Sequence, residues 1–184
     1  MTTDLIIFIL VSIPLIYFSK HVLFNIKSHG FYRFWGWECI AWLFANNYKY
    51  WFVDVFSPKQ ILSWIFLFYG TYLVIAGAIL LKKMGNATKV REDNSLYTFE
   101  KTTELVETGL YKFIRHPLYG SLIFLAWGIY LKNISSIVML LLVAIATILF
   151  YITAKFDEKE CISYFGQKYK DYMKRSRMFI PYLF

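Results

Sequence analysis

The stretch ETGLYKFIRHPLYGS, residues 107–121, sets an arginine, a histidine and a proline side by side at the threshold of an apolar run. Arg115, His116 and Pro117 lead into SLIFLAWGIYL, then the polar pair Lys132 and Asn133, then a longer apolar run ending near Ala154. Two apolar runs joined so tightly read as an antiparallel hairpin of helices. Ionisable side chains at the base of such a hairpin either serve a function or reach for the membrane interface.

Composition places this hairpin in a bilayer. Of 184 residues, 58% are hydrophobic and 21% aromatic against 17% charged, outside the range of ordinary soluble domains. Five runs approach the ~20 residues that cross ~30 Å of hydrocarbon: residues 4–24, 31–53, 60–83, 118–131 and 134–154. The sequence therefore predicts an all-α, polytopic membrane protein of about five transmembrane helices, one integral-membrane domain over residues 1–184. Its parts are three spans within 1–83, a loop carrying the Arg-His-Pro triplet over 84–117, the hairpin over 118–154, and a C-terminal helix and tail over 155–184. Pro14 is placed to kink the first span. That span has no basic lead and no small-residue cleavage site, so it reads as a retained helix and not as a signal peptide. The second is rich in Trp and Tyr, which favour the interface, and has a polar end at 46–49.

Basic residues set the orientation, because basic loops resist translocation. With the N-terminus outside, residues 19–33, 82–117 and 155–184 face the cytoplasm and hold seventeen of the twenty Lys and Arg residues. The net charge of +8 then suits the anionic leaflet. No RNA-binding aromatic motif or zinc spacing appears, so neither a nucleic-acid partner nor a metal is expected. Cys39 and Cys161 fall in a span and in the cytoplasmic tail, which makes a disulfide between them unexpected. His21 and His29 flank the first cytoplasmic loop and read as imidazoles facing water or headgroups. The loop over 84–104 is long enough to be a lid as well as a connection. The tail over 155–172 offers Phe156, Tyr164, Phe165, Tyr169 and Tyr172 as the apolar stripe of an amphipathic helix resting on the membrane.

Helical rise makes a sharper claim. Residues equidistant from the hairpin turn share a depth, which sets Arg115 opposite Thr153. At 1.5 Å per residue, Asp157 and Glu158 lie within about two turns of Arg115 and His116. A basic and an acidic cluster converge at one hairpin base.

These two clusters carry a resemblance. ELVETGLYKFIRHPLYGS, followed after the hairpin by FDEKECISYFGQKYKDYM, resembles the C-terminal half of the integral-membrane methyltransferases related to isoprenylcysteine carboxyl methyltransferase and phospholipid N-methyltransferase. The shared pattern falls on Gly109, Tyr111, Arg115, His116, Pro117, Tyr119 and Gly120, then Asp157, Glu158, Phe165, Gly166, Tyr169 and Tyr172, and covers about residues 104–184. Asp157 stands where a glutamate is usual, and Cys161 where a leucine is.

The resemblance implies S-adenosylmethionine as methyl donor, S-adenosylhomocysteine as product, and a pocket formed by the last two spans and the C-terminal helix on the cytoplasmic side. It assigns Tyr111, His116, Pro117, Tyr119, Gly120, Asp157 and Glu158 to the cofactor, and Arg115 with Glu158 to catalysis. Glu158 and Asp157 would hold the ammonium or a ribose hydroxyl. His116 and the backbone near Pro117 would receive the methionine portion, with Tyr111 and Tyr119 along the adenosine or methyl path. Arg115 would clamp an acceptor carboxylate or phosphate. The acceptor is expected to be a lipid or small amphiphile, methylated on a carboxylate or an amine. An amine would need a base, Glu158 or His116. An NADPH-dependent enzyme like the sterol reductases, or a non-catalytic membrane scaffold or transporter, stands as the alternative.

Overall fold

The computed structural model describes residues 2–86, 100–134 and 136–183. Among them the chain forms six α-helices and no strand: α1 Thr2–Ser19, α2 His29–Asn47, α3 Pro58–Met84, α4 Pro117–Tyr130, α5 Ile137–Phe165 and α6 Gln167–Arg175. Short 3₁₀ turns, Tyr48–Tyr50 and Gly109–Lys112, precede α3 and α4. The helices pack as neighbours in the pairs α1 on α2, α2 on α5, α5 on α4 and α4 on α3.

Two helices, α3 and α5, are long and apolar enough to cross a membrane. Their outward faces carry Ile65, Phe68, Ile75, Leu141, Ile145 and Ile148, all exposed. A row of exposed aliphatic and aromatic side chains is unfavourable in water and natural in lipid, so the chain is a membrane protein.

Small residues set the spacing between helices. Ser63, Gly70 and Gly77 recur every seven residues on α3 and face α4. Ser63 Oγ donates to the Gly128 carbonyl at 2.6 Å, and a Cβ on Gly70 would sit 3.0 Å from the Ser121 carbonyl oxygen. Close backbone approach of this kind replaces the hydrophobic drive that lipid cannot supply. On the other flank Gly36 of α2 receives the fully buried Phe150 ring of α5. Leu43, Leu67, Ala126, Ile129, Val143 and Ala146 complete the core between these contacts.

Several boundaries differ from the sequence reading. α1 stops at Ser19, and Val22 folds back in successive turns until it packs on Gly30, so residues 20–24 do not extend the first span. α2 ends at Asn47, whose buried amide donates to the Ile129 carbonyl at 3.0 Å, and the remaining residues of the second run form turns. α4 has 14 residues, about 21 Å at 1.5 Å per residue.

α5 runs on past Ala154, carrying the acid pair on its last turns to Phe165. The tail is therefore not one surface helix. Gly166, at φ +61 and ψ −134, adopts a backbone open essentially to glycine alone and starts α6 in a new direction. Tyr169 and Tyr172 of α6 are buried in the protein, Phe156 stacks on Tyr32 at 5.1 Å, and Tyr164 is exposed. The tail's aromatic stripe is thus dispersed among three surroundings.

Candidate active site

The segment around Arg115 is held by its backbone before its side chains act. Gly109, at φ +58, turns the chain under Leu80, and the 3₁₀ turn that follows buries Tyr111. Residues 113–116 then run beside 176–178 in a short parallel bridge: Arg177 N–H donates to Phe113 O at 2.8 Å, Arg115 N–H to Arg177 O at 2.9 Å, and His116 N–H to Met178 O at 3.1 Å. Pro117 opens α4 at its first turn, where no N–H is needed. Tyr172 of α6 donates its hydroxyl to the Tyr111 carbonyl at 2.6 Å, closing the ring of α4, the 3₁₀ turn and α6.

The basic and acidic clusters meet here. Arg115 Nε donates to Glu158 Oε1 at 2.6 Å and its Nη1 to the Ser176 carbonyl at 2.7 Å. Lys155 Nζ donates to the other Glu158 oxygen at 2.9 Å. His116 Nδ1 lies 3.4 Å from Asp157 Oδ2, and Nε2 lies 3.5 Å from Glu158 Oε1. At that distance and angle Nε2, a buried nitrogen, makes no well-formed hydrogen bond among the described residues. Tyr119 stacks on the imidazole, with ring centres 5.6 Å apart.

These contacts set protonation. Burial alone would raise the Glu158 carboxyl, but His116, Lys155 and Arg115 outweigh it and hold the pKa at about 2. Burial would lower His116, yet Asp157 and Glu158 bring it above its ordinary value. Tyr111 is pushed far up by burial and stays neutral.

A cavity of about 90 Å³ lies against this cluster. Of the residues anticipated from sequence, Tyr111, Arg115, His116, Pro117, Tyr119 and Asp157 line it, joined by Tyr169 and Tyr172 of α6. Glu158 stands behind that wall, 3% exposed, holding Arg115 and Lys155. Gly120 faces elsewhere, on an apolar groove beside Phe179.

The sequence model of the phospholipid methyltransferase family matches residues 58–168, more than half of the chain. The chain belongs to that family. Among curated relatives, the Methanethiol S-methyltransferase of Crocosphaera subtropica is 23% identical over 82% of this chain and 55% of its own length. The Methanethiol S-methyltransferase 1 of Bradyrhizobium diazoefficiens is 34% identical over 40% of this chain and 25% of its own length. That of Pseudomonas deceptionensis is 32% identical over 40% and 27%. The chain thus spans about half or less of the length of the relatives it matches.

In this family member the N-terminal half also reaches the site, which sequence reading did not anticipate. His29 is fully buried, not solvated, because the start of α2 packs on α5 and Nδ1 meets Glu160 Oε2 at 2.8 Å. Burial would lower its pKa, but Glu160 and Asp157 raise it. Donor atoms of His29, Asp157 and Glu160 lie within 4.8 Å of one another. Arg33, one turn further along α2, pairs with Glu100 at 3.2 Å, both nearly buried, and stacks over Trp37.

Glu100 and Thr102 line the cavity, as do Cys161 and Phe165. The ends of the loop read as a lid are fastened together, Thr103 N–H and Glu104 N–H both donating to the Gly85 carbonyl. Residues 87–99 of that loop lie outside the described residues. The only signal for Glu100 was its position at the edge of a polar loop on the same side as Arg115.

Proposed function

We propose that this chain transfers a methyl group from S-adenosylmethionine to a lipid-like or small amphipathic acceptor, in a cavity open to the cytoplasmic face of the membrane. The observation that carries the reading is the convergence of His116, Asp157 and the tyrosines of α4, α6 and the 3₁₀ turn on one cavity, braced from behind by the Arg115–Glu158 pair. In this reading α1 to α5 each cross the bilayer, the N-terminus lies outside, and α4 and α5 form the predicted hairpin. The three basic segments then share the cytoplasmic side with the cavity.

The residues present fit the donor. A buried imidazole nitrogen lacks a well-formed hydrogen bond among the described residues, carboxylates of Asp157 and Glu100 face the cavity, and neutral tyrosine rings wall it. Carboxylates suit an ammonium and ribose hydroxyls, and aromatic faces suit a sulfonium. When bound, S-adenosylmethionine supplies an electrophilic methyl that leaves by in-line displacement. This chain's own work is to align and to exclude water. The present volume is below the ~300 Å³ of common ligand pockets, so the walls must part to admit the donor.

Arg115 has two of its three nitrogens committed to Glu158 and Ser176, which makes it first a brace for the site. A carboxylate acceptor arrives without a proton. An amine, or a thiol such as the curated relatives are named for, arrives with one. Glu158, held at a pKa of about 2, is a weak base, so His116 in its neutral form is the group that takes that proton.

The test supplies isotopically labelled donor to membranes containing the protein and follows label into lipid and volatile fractions. Alkali-labile label marks an ester, and alkali-stable label an amine or thioether. Absence of labelled product in every fraction, with donor binding also absent, refutes the reading.

A further inference from the structure

Beyond the donor cavity, two surface features adjoin. The first is a groove of about 710 Å³ between α4 and α5, walled by Phe66, Ile123, Phe124, Trp127 and Ile148, with almost no polar surface. The second is a pocket of about 230 Å³ lined by Arg115, Lys155 and Arg177. Tyr151 lines both, and the chain from Met178 to Ile180 runs between them as a common sill.

Charge distinguishes the pocket. Three cations face it and one carboxylate, Glu158, lies among them, already bonded to Arg115 and Lys155. Arg177 is exposed and has no acidic partner among the described residues. Lys155 is 42% exposed, and Arg115 Nη2 is uncommitted. A basic pocket at one end of an apolar groove matches a molecule with a phosphate at one end and hydrocarbon at the other.

We propose that this composite surface seats one anionic phospholipid of the surrounding bilayer, its phosphate against Arg177 and Lys155 and a chain along the α4–α5 groove. The Arg115–Glu158 pair stands between the pocket and the donor cavity, so this lipid is a resident of the protein and not the methyl acceptor. The seat is independent of the methyl-transfer reading, and its test needs no turnover. Its consequence for the site is mechanical: a phosphate here completes the charge balance around Arg115, whose backbone N–H already donates to the Arg177 carbonyl.

Native mass spectrometry of the full chain in detergent tests the seat, with phosphatidylglycerol, phosphatidylcholine of the same chains, and inorganic phosphate as separate probes. One phosphatidylglycerol is expected to remain bound. Arg177→Gln and Lys155→Gln should each weaken retention about fivefold and the double variant about 25-fold, since each cation near a lipid phosphate is worth about that factor. Ile148→Trp, which fills the groove from an exposed position, should weaken the lipid and leave inorganic phosphate unaffected. Thermal unfolding of each variant identifies any that fails to fold, and Ile148→Trp and Arg177→Gln change different parts of the seat. Equal retention of phosphatidylcholine, binding of inorganic phosphate as tight as that of the lipid, or retention unchanged by folded Arg177→Gln and Lys155→Gln would each overturn the proposal.

Discussion

Replacing Glu158 by Gln tests the centre of the site. The side chain keeps its shape and loses the charge that Arg115, Lys155 and His116 surround. Lowering a carboxyl from 4.5 to about 2 corresponds to roughly 3 kcal/mol of preferential stabilisation of the charged form, at about 1.4 kcal/mol per unit. That agrees in size with the roughly 3–5 kcal/mol lost when one partner of a buried ion pair is removed. The carboxylate is 3% exposed, so solvent screening does not erase the effect.

The sign follows from the two shifts. Glu158 is depressed, so its contribution is complete above 4.5 and is lost as pH falls through about 2. His116 is raised, so its contribution is complete below 6.5 and is lost as pH rises through its folded value. Both are present between 4.5 and 6.5. The stability difference between parent and Glu158→Gln, measured by reversible unfolding in mixed micelles, should therefore be about 3 kcal/mol in that window and narrow on either side. A second variant, Glu158→Gln with Arg115→Met, should recover part of the loss because no unpaired guanidinium remains. A pH-independent difference under 0.5 kcal/mol, within the range of ordinary surface substitutions, would refute the reasoning.

Other expectations are read from single contacts. Gly36→Ala places a Cβ 2.6 Å from the buried Phe150 ring and should destabilise by about 1–3 kcal/mol, with Phe150→Leu in the same chain restoring part of it. Tyr172→Phe removes the hydroxyl bonded to the Tyr111 carbonyl and should cost about 1–3 kcal/mol, read in unfolding, with donor affinity falling alongside. Gly166→Ala should cost about 1–3 kcal/mol in backbone strain and expose Tyr169 and Tyr172, seen as increased proteolysis of the C-terminal segment. Lys132→Met removes an ammonium bonded to Gln60 at 3.0 Å and set 3.7 Å from the Trp64 ring centre, and should shift tryptophan emission while leaving donor binding intact.

Much of the site was legible because its residues are close in sequence to a strong periodic signal. The apolar runs fixed where α3, α4 and α5 lie, and helical rise then brought Asp157 and Glu158 to the level of Arg115. What the pattern could not convey was direction around an axis. Asp157 and Glu158 are neighbours on one helix, yet Asp157 lines the cavity while Glu158 braces it from behind, a difference of about 100° that spacing alone does not resolve. Gly120 shows the same limit: it follows Tyr119 in sequence and faces a different groove. Helix ends were misplaced where a polar side chain bonded to a distant backbone, as Asn47 does to Ile129, because such partners lie 82 positions away.

The buried histidine on α2 exposes a deeper limit of reading a chain in order. His29 and Arg33 have no motif of their own, and each acquires its role from an acid more than sixty positions away, Glu160 and Glu100. One pair ties α2 to the end of α5 beside Asp157, and the other ties it to the segment that walls the cavity. The start of α2 therefore spans both sides of the site, and the Gly36–Phe150 contact one to two turns below keeps it there. α1 and α2 precede the span matched by the family model, so the basic halves of the two pairs come from outside that span and their acids from within it. An ion pair buried this far gives little net stability, because desolvation offsets attraction, but it rejects every register of α2 that would leave either charge unpaired. The polar groups of the N-terminal half thus select one placement of α2 against α5 and the cavity wall, while its apolar surface would have tolerated several.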